Sequence, residues 1–106
     1  MIVLDEAAAG RIVDLPVGQV MELRLQENPS TGFGWHVAES GAPVCHIADD
    51  HYDAPQAARP GQPGTHVWRI AGIAAGTCAL AFTYARAWET GTPPASSYTL
   101  TLRVGS

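Results

Sequence analysis

The stretch Tyr98-Thr99-Leu100-Thr101-Leu102-Arg103-Val104 alternates large apolar residues with polar ones. Two other stretches, residues 21–26 and 79–84, repeat the alternation with polar or small residues on the second face. A period of two is the signature of a β-strand that has one buried face and one more polar face. Because helical periodicity is nearly absent, the chain is predicted to be all-β.

Weaker strand patterns flank these segments at residues 2–4, 11–15, 33–38, 44–48 and 65–73. Proline and glycine separate them, for example at Pro16-Val17-Gly18 and Gly41-Ala42-Pro43. Seven to eight short strands in roughly 100 residues predict an immunoglobulin-like antiparallel β-sandwich, with an open barrel as the alternative. In the sandwich, Trp35 and Trp68 are expected in the core because both lie in strand segments.

The composition fits one small globular domain that spans residues 1–106. Apolar residues make up 46% of the chain, and the net charge of −4 comes from six arginines, no lysine and ten acidic side chains. Without a basic surface, nucleic acid is not expected as a partner. No apolar run approaches the roughly 18 residues of a membrane span, and residues 1–10 lack the basic start and apolar centre of a signal peptide.

Catalytic and metal-binding chemistry have little support in the sequence. Cys45 and His46 are adjacent, so their side chains would point to opposite faces of a strand and form no thiol-imidazole pair. Ser30 lacks the glycine pattern of a nucleophile elbow. The polar candidates His36, His46, His51, His66, Asp49, Asp50 and Asp53 show no zinc-ligand spacing, and the aspartates are expected in a solvated loop. We therefore expect no catalytic residue, no metal and no cofactor.

The chain has two cysteines, Cys45 and Cys78, which are too few for a disulfide framework. They are interpreted as two buried thiols, with one disulfide bridge as the alternative. Mass measurement with and without a reductant distinguishes the two states.

The segment Asn28-Pro29-Ser30-Thr31-Gly32 is predicted to be a preshaped loop. Its local sequence alone favours a tight turn that caps a hairpin, whereas the other loops that occur with it favour a binding loop. Proline restricts the residue before it to extended conformations, and glycine allows a conformation that other residues rarely adopt. A preshaped loop loses less entropy on docking. If every strand after residue 19 crosses the full height of the sandwich, the connections at 26–33, 54–64 and 85–97 meet at one end, as antibody binding loops do.

The loops resemble those of the chagasin-like inhibitors of papain-type cysteine peptidases. Members of that family carry a motif close to Asn-Pro-Thr-Thr-Gly-Phe with a tryptophan soon after, and this chain has Asn28-Pro29-Ser30-Thr31-Gly32-Phe33-Gly34-Trp35. The family's glycine-rich stretch ending in Gly-Thr is matched by Gly61-Gln62-Pro63-Gly64-Thr65, and its Arg-Pro-Trp motif by Arg86-Ala87-Trp88. Three motifs in the family's order and spacing make the resemblance specific.

The resemblance implies a reversible, competitive and non-covalent inhibitor, not an enzyme. Its three loops would occlude the active-site cleft of a papain-like, cathepsin L-type peptidase without being cut, with Trp88 as an aromatic anchor on the enzyme. The implied peptidase-binding residues are Asn28, Pro29, Ser30, Thr31, Gly32, Gly61, Gln62, Pro63, Gly64, Thr65, Arg86, Ala87 and Trp88. The resemblance also implies a monomer and an extracytoplasmic location, periplasmic or secreted, for the mature chain.

Two residues depart from the family pattern. Ala87 replaces a proline, which makes the third loop less rigid, and Pro63 replaces a glycine, which removes one backbone donor. These departures keep open a second function, a non-inhibitory immunoglobulin-like adhesion or assembly module that binds another protein through the same loops. A small metal-binding β-sandwich is the third alternative for the function.

Overall fold

Eight β-strands form two four-stranded sheets in the computed structural model, which describes residues 2–28, 32–54, 63–86, 91 and 93–105. The strands are β1 (Ile2–Leu4), β2 (Ile12–Pro16), β3 (Val20–Glu27), β4 (Phe33–Ser40), β5 (Cys45–Asp53), β6 (Gly64–Gly72), β7 (Gly76–Arg86) and β8 (Ser96–Gly105). A short 3₁₀ helix, Glu6–Ala8, lies between β1 and β2. The first sheet has the order β1-β3-β6-β5 and the second has the order β2-β8-β7-β4.

The core lies between the two sheets. Its buried side chains come from the inward faces that the alternation predicts: Leu15, Met21, Leu23, Leu25, Trp68, Ile70, Leu80, Phe82, Tyr98, Leu100, Leu102 and Val104. The rings of Trp68 in the first sheet and Phe82 in the second are 4.7 Å apart, which shows that the faces pack directly on each other. The predicted β-sandwich is therefore confirmed. Trp68 is buried as expected, whereas Trp35 is only partly buried at the rim of the core.

Two edge pairs differ from the expected antiparallel arrangement. β1 pairs with β3 and β2 pairs with β8, both in parallel, so each sheet is mixed. The reason is the path of the first 20 residues: the chain runs up β1, crosses to the other sheet at the 3₁₀ helix, returns along β2 and reverses again before β3. Two reversals restore the original direction, which makes β3 parallel to β1.

Strand β5 is longer than its sequence pattern predicts. Asp49, Asp50 and Asp53 lie in this strand, so the expectation that they belong to a solvated loop is wrong. Aspartate has a low strand propensity, but β5 is held by its register against β6, where Asp49 faces Arg69 and Asp53 faces Thr65. Pairing with a buried neighbouring strand outweighs the local preference, and the exposed side chains remain solvated.

The strand directions place three connections at one end of the sandwich. β3, β5 and β7 end there, while β4, β6 and β8 begin there. We refer to the connections as loop 1 (28–32), loop 2 (54–63) and loop 3 (87–95), and to this end as the loop end. The predicted meeting of the three connections is confirmed for their described residues. Within the described part of the chain, no helix has the length and apolar character needed to cross a membrane.

Candidate functional site

One open cavity at the loop end lies between described residues of loops 1 and 2 and the strands that flank loop 3. The cavity has a volume of about 400 Å³, and its lining includes Asn28 from loop 1, Pro63 from loop 2, and Tyr84 and Ser96 from the strands that flank loop 3. Six of the implied site residues, Asn28, Gly32, Pro63, Gly64, Thr65 and Arg86, are thus placed at or beside this end. Pro29, Ser30, Thr31, Gly61, Gln62, Ala87 and Trp88 lie outside the described residues.

The side chain of Glu27 links the two sheets directly below loop 1. It is buried, with 7% of the residue exposed, although glutamate is rarely buried unless it is paired. One carboxylate oxygen accepts a hydrogen bond of 2.8 Å from the backbone N–H of Trp35 in the opposite sheet. The other lies 3.0 Å from Nδ1 of His66 on β6. Both ends of loop 1 are therefore tied to one carboxylate.

His66 extends this network to the strand that precedes loop 2. Its Nε2 lies 2.6 Å from a carboxylate oxygen of Asp50 on β5, and its ring stacks on Trp68 at 4.1 Å. A protonated imidazole donates to both carboxylates at once, whereas a neutral ring donates to one. The Glu27-His66-Asp50 chain thus joins β3, β6 and β5 at the point where loops 1 and 2 leave the sheet.

Aromatic rings fix loop 1 against the strand that leads into loop 3. Tyr84 lies between Phe33 and Trp35, with ring centroids at 5.4 Å and 4.9 Å. Its hydroxyl oxygen accepts a hydrogen bond of 2.9 Å from the backbone N–H of Asn28. The guanidinium carbon of Arg86 lies 4.5 Å from the ring centroid of Phe33, within cation–π range. These contacts hold Arg86 at the loop end, beside the first residue of β4.

Two glycines are required where loops 1 and 2 join the sheets. Gly32 has a φ of +82°, in the left-handed region that glycine adopts without strain, as predicted for the preshaped loop. At Gly64 an added Cβ would collide with the backbone oxygen of Asp53 and with the Tyr52 side chain. The chain at the base of loop 2 is therefore packed too closely for any larger residue.

Sequence reasoning considered His66 only as a metal-binding candidate and did not identify Glu27, although the strand patterns contain the signal for their network. The inward series Met21, Leu23, Leu25 continues to Glu27, which places a charged residue on an apolar face. His66 extends the inward pair Trp68 and Ile70 in the same way. A polar residue at the inward position near the end of a strand that adjoins a loop indicates a buried network at the base of that loop.

The structure places most of the described cysteine and histidine candidates on opposite faces or in pairs with carboxylates. Cys45 is buried while His46 is exposed, in agreement with their predicted opposite faces. No group of three or more histidine, cysteine and acidic side chains among the described residues could hold a metal ion. His66 is engaged with two carboxylates, and His51 lies 3.2 Å from Asp53 as an exposed pair.

Replacing Glu27 by alanine is expected to lower the free energy of unfolding by about 2 to 4 kcal/mol, because the change removes the acceptor of two part-buried donors. Glu27→Gln keeps the size of the side chain and one oxygen, so its loss is expected to be smaller. Urea unfolding measures both values. The matched control is Glu39→Ala, an exposed carboxylate on β4, which is expected to change stability by less than about 0.5 kcal/mol. Equal effects at the two positions would contradict the role assigned to Glu27.

Comparison with known proteins agrees with this architecture. The model of the family described as "Chagasin family peptidase inhibitor I42" matches residues 14–102. Chagasin from Trypanosoma cruzi is 29% identical over 104 residues, which cover 94% of each chain. The cysteine protease inhibitor EhICP2 from Entamoeba histolytica has the same fold, with a TM-score of 0.86 at 22% identity over 97% of this chain and 94% of that one. PbICP-C, solved in complex with falcipain-2, shares it with a TM-score of 0.57 at 16% identity over 99% and 98%. Because the family match covers most of the domain, this chain belongs to the chagasin family of peptidase inhibitors.

Proposed function

We propose that the chain inhibits papain-like cysteine peptidases reversibly, competitively and without a covalent bond, and that loops 1, 2 and 3 together occlude the active-site cleft. The observation that carries the proposal is a cavity at the loop end that Asn28, Pro63 and Tyr84 line together. Loops 1 and 2 and the strands that flank loop 3 thereby share one surface. Family membership supports inhibition of a peptidase and not an enzymatic activity of the chain itself.

Preorganisation of loop 1 is the physical basis of the proposed inhibition. Its first residue is held by the hydrogen bond from Asn28 to Tyr84, and its last residue, Gly32, has a fixed left-handed backbone. Fixed ends reduce the entropy that the loop loses when it enters a cleft. A constrained loop also occupies the site of a substrate without presenting a carbonyl in line with the catalytic thiolate, so it resists cleavage. In this arrangement Ser30 and Thr31 are the residues nearest the catalytic cysteine.

Loop 2 contributes Pro63 to the same surface, where the family pattern has a glycine. Pro63 borders the cavity beside Asn28 and Tyr84, but it has no backbone N–H to donate to a peptidase. An inhibitor with glycine at this position keeps that donor. We therefore expect this chain to bind by the apolar contact of the proline ring at loop 2, and to bind some peptidases less tightly than family members that carry glycine.

The proposal extends to the type of target and the state of the inhibitor. Two structures of the same fold support a cysteine peptidase as the partner, since one is a cysteine protease inhibitor and the other was solved in complex with falcipain-2. We propose a cathepsin L-type target, a monomeric inhibitor and an extracytoplasmic location. A standard interface buries roughly 800 Å² on each partner, an area that three loops of a small domain can supply.

Titration of active papain and of a cathepsin L-like enzyme with the purified chain tests this function. The expected result is a stoichiometric loss of activity that is relieved by dilution and by excess substrate, with an intact inhibitor on a denaturing gel. Cleavage of the chain during the titration would identify a substrate instead of an inhibitor. Lack of inhibition of both enzymes at micromolar concentration would contradict the proposal and favour a protein-binding module that uses the same loops.

Trp88→Ala is expected to weaken inhibition by about 30-fold, equivalent to about 2 kcal/mol, if the indole is an aromatic anchor on the peptidase. Inhibition constants measured with papain report the change. The control is Ile73→Ala, which removes an exposed apolar side chain at the opposite end of the sandwich and is expected to leave inhibition unchanged. Retention of full affinity by the Trp88 variant would remove loop 3 from the proposed interface.

Tyr84→Phe is expected to weaken inhibition by about fivefold to tenfold, because it removes the acceptor that fixes Asn28 while retaining the aromatic packing. Tyr98→Phe is the matched control. It also removes one hydroxyl, which donates to the backbone oxygen of Asp5 and not to a loop residue, so it is expected to lower stability without weakening inhibition. A similar loss of inhibition in both variants would show that general stability, and not the position of loop 1, is responsible.

A further inference from the structure

The two cysteines of the chain lie side by side at the end of the sandwich opposite the loops. Cys45 is the first residue of β5 in the first sheet, and Cys78 lies near the start of β7 in the second. Their sulfur atoms are 3.2 Å apart although 33 positions separate them in the sequence. Both are free thiols in this structure, as the interpretation of the sequence expects, although Cys78 is only partly buried. Their contact is one that the alternative of a single disulfide bridge requires.

The two sulfurs lie against one glycine, and Cys78 also borders an open cavity. Gly41 lies against both, and a Cβ at this position would collide with the sulfur of Cys45. An open cavity of about 390 Å³ borders Gly41 and Cys78, so a small molecule can reach the second sulfur from solvent. Cys45 is buried, with 1% exposed, whereas Cys78 is only partly buried. The pair therefore combines one accessible thiol with one protected thiol.

We propose that Cys45 and Cys78 are an oxidation site at which a small-molecule disulfide forms a cystine bridge between the two sheets. The thiolate of Cys78 attacks one sulfur of the disulfide, forms a mixed disulfide and releases the first thiolate. Cys45 then loses its proton to solvent and attacks the sulfur of Cys78, which releases the second thiolate. The two cysteines lose two electrons and two protons in total, and the reagent is reduced to two thiols. The sulfurs need to approach by only about 1 Å to reach bonding distance.

The order of the two steps follows from the environment of Cys45. Burial raises the pKa of its thiol to about 12, with further contributions from the hydrogen bond to Cys78 and from the charge of that sulfur. Cys45 therefore stays protonated while Cys78 reacts first. Two of the three causes originate at the Cys78 sulfur and disappear once that sulfur is in a mixed disulfide. Burial remains, so the second step is expected to be the slower one and to accelerate as the pH rises.

The bridge would stabilise the fold without reaching the proposed inhibitory surface. It would close a loop that contains about one third of the chain and would join the sheets at one end only. Constraint of the unfolded chain by a loop of this length is expected to raise the Tm by about 10 °C. Oxidising compartments contain the small-molecule disulfides that the reaction needs.

Incubation of the reduced chain with oxidised glutathione, followed by alkylation under denaturing conditions and intact-mass measurement, tests the inference. The expected product is a monomer about 2 Da lighter than the reduced chain, with no thiol left to alkylate. Its Tm should be higher than that of the reduced chain, and its inhibition of papain should be unchanged. Reduction with dithiothreitol should restore both thiols.

Single variants assign the roles of the two sulfurs. Cys45→Ser is expected to keep glutathione on Cys78 as a lasting mixed disulfide, and Cys78→Ser to react at least about tenfold more slowly because Cys45 is buried. Two alkylated cysteines after prolonged oxidation of the unmodified chain would overturn the proposal. So would a product that stops at the mixed disulfide, or one that links two chains. These outcomes do not depend on whether the chain inhibits a peptidase.

Discussion

The buried carboxylate of Glu27 is the constraint on which the loop end of this protein depends. Removing a carboxylate from water is costly, and the cost is offset only when hydrogen bonds satisfy its oxygens. Here the partners are the backbone of Trp35 in one sheet and the ring of His66 in the other. Because those partners lie beside loops 1 and 2, the network holds only when both loops leave the sheets at the correct positions. Satisfying the buried charge and fixing the positions of loops 1 and 2 are thus the same requirement.

A polar side chain at an inward position also fixes the chain beside the third loop. The inward face of β7 is apolar at Leu80 and Phe82 and becomes polar at Tyr84, whose hydroxyl binds the backbone of loop 1. Apolar residues at these last inward positions could fill space equally well, but they have no directional bonds and would leave the loops free to shift. The polar residues at the loop end contribute less hydrophobic stabilisation than apolar residues would, but their hydrogen bonds fix the positions of the loops.

The fold could be predicted from the sequence because alternation of apolar residues defines both the strands and their inward faces. The directions of β1 and β2 could not be predicted, because they depend on two chain reversals that have no periodic pattern in the sequence. The length of β5 also escaped prediction because Asp49 and Asp50 oppose strand structure locally, and pairing with β6 overrides them. For the site, short motifs identified the loops, while Glu27 and His66 lie within strand patterns and belong to no loop motif. Their roles become visible only when the two sheets are packed together.

The separation of core and loop end also explains how the fold persists at low sequence identity. EhICP2 keeps the architecture with a TM-score of 0.86 although 22% of its residues are identical. A sandwich core needs apolar side chains of suitable size at alternate positions, and many combinations of residues meet that need. The strand ends beside the loops face a stricter requirement, since at Gly64, the first residue of β6, backbone is packed where a Cβ would be. Substitutions in the core can therefore accumulate without moving the strand ends, and the strand ends determine where the loops meet.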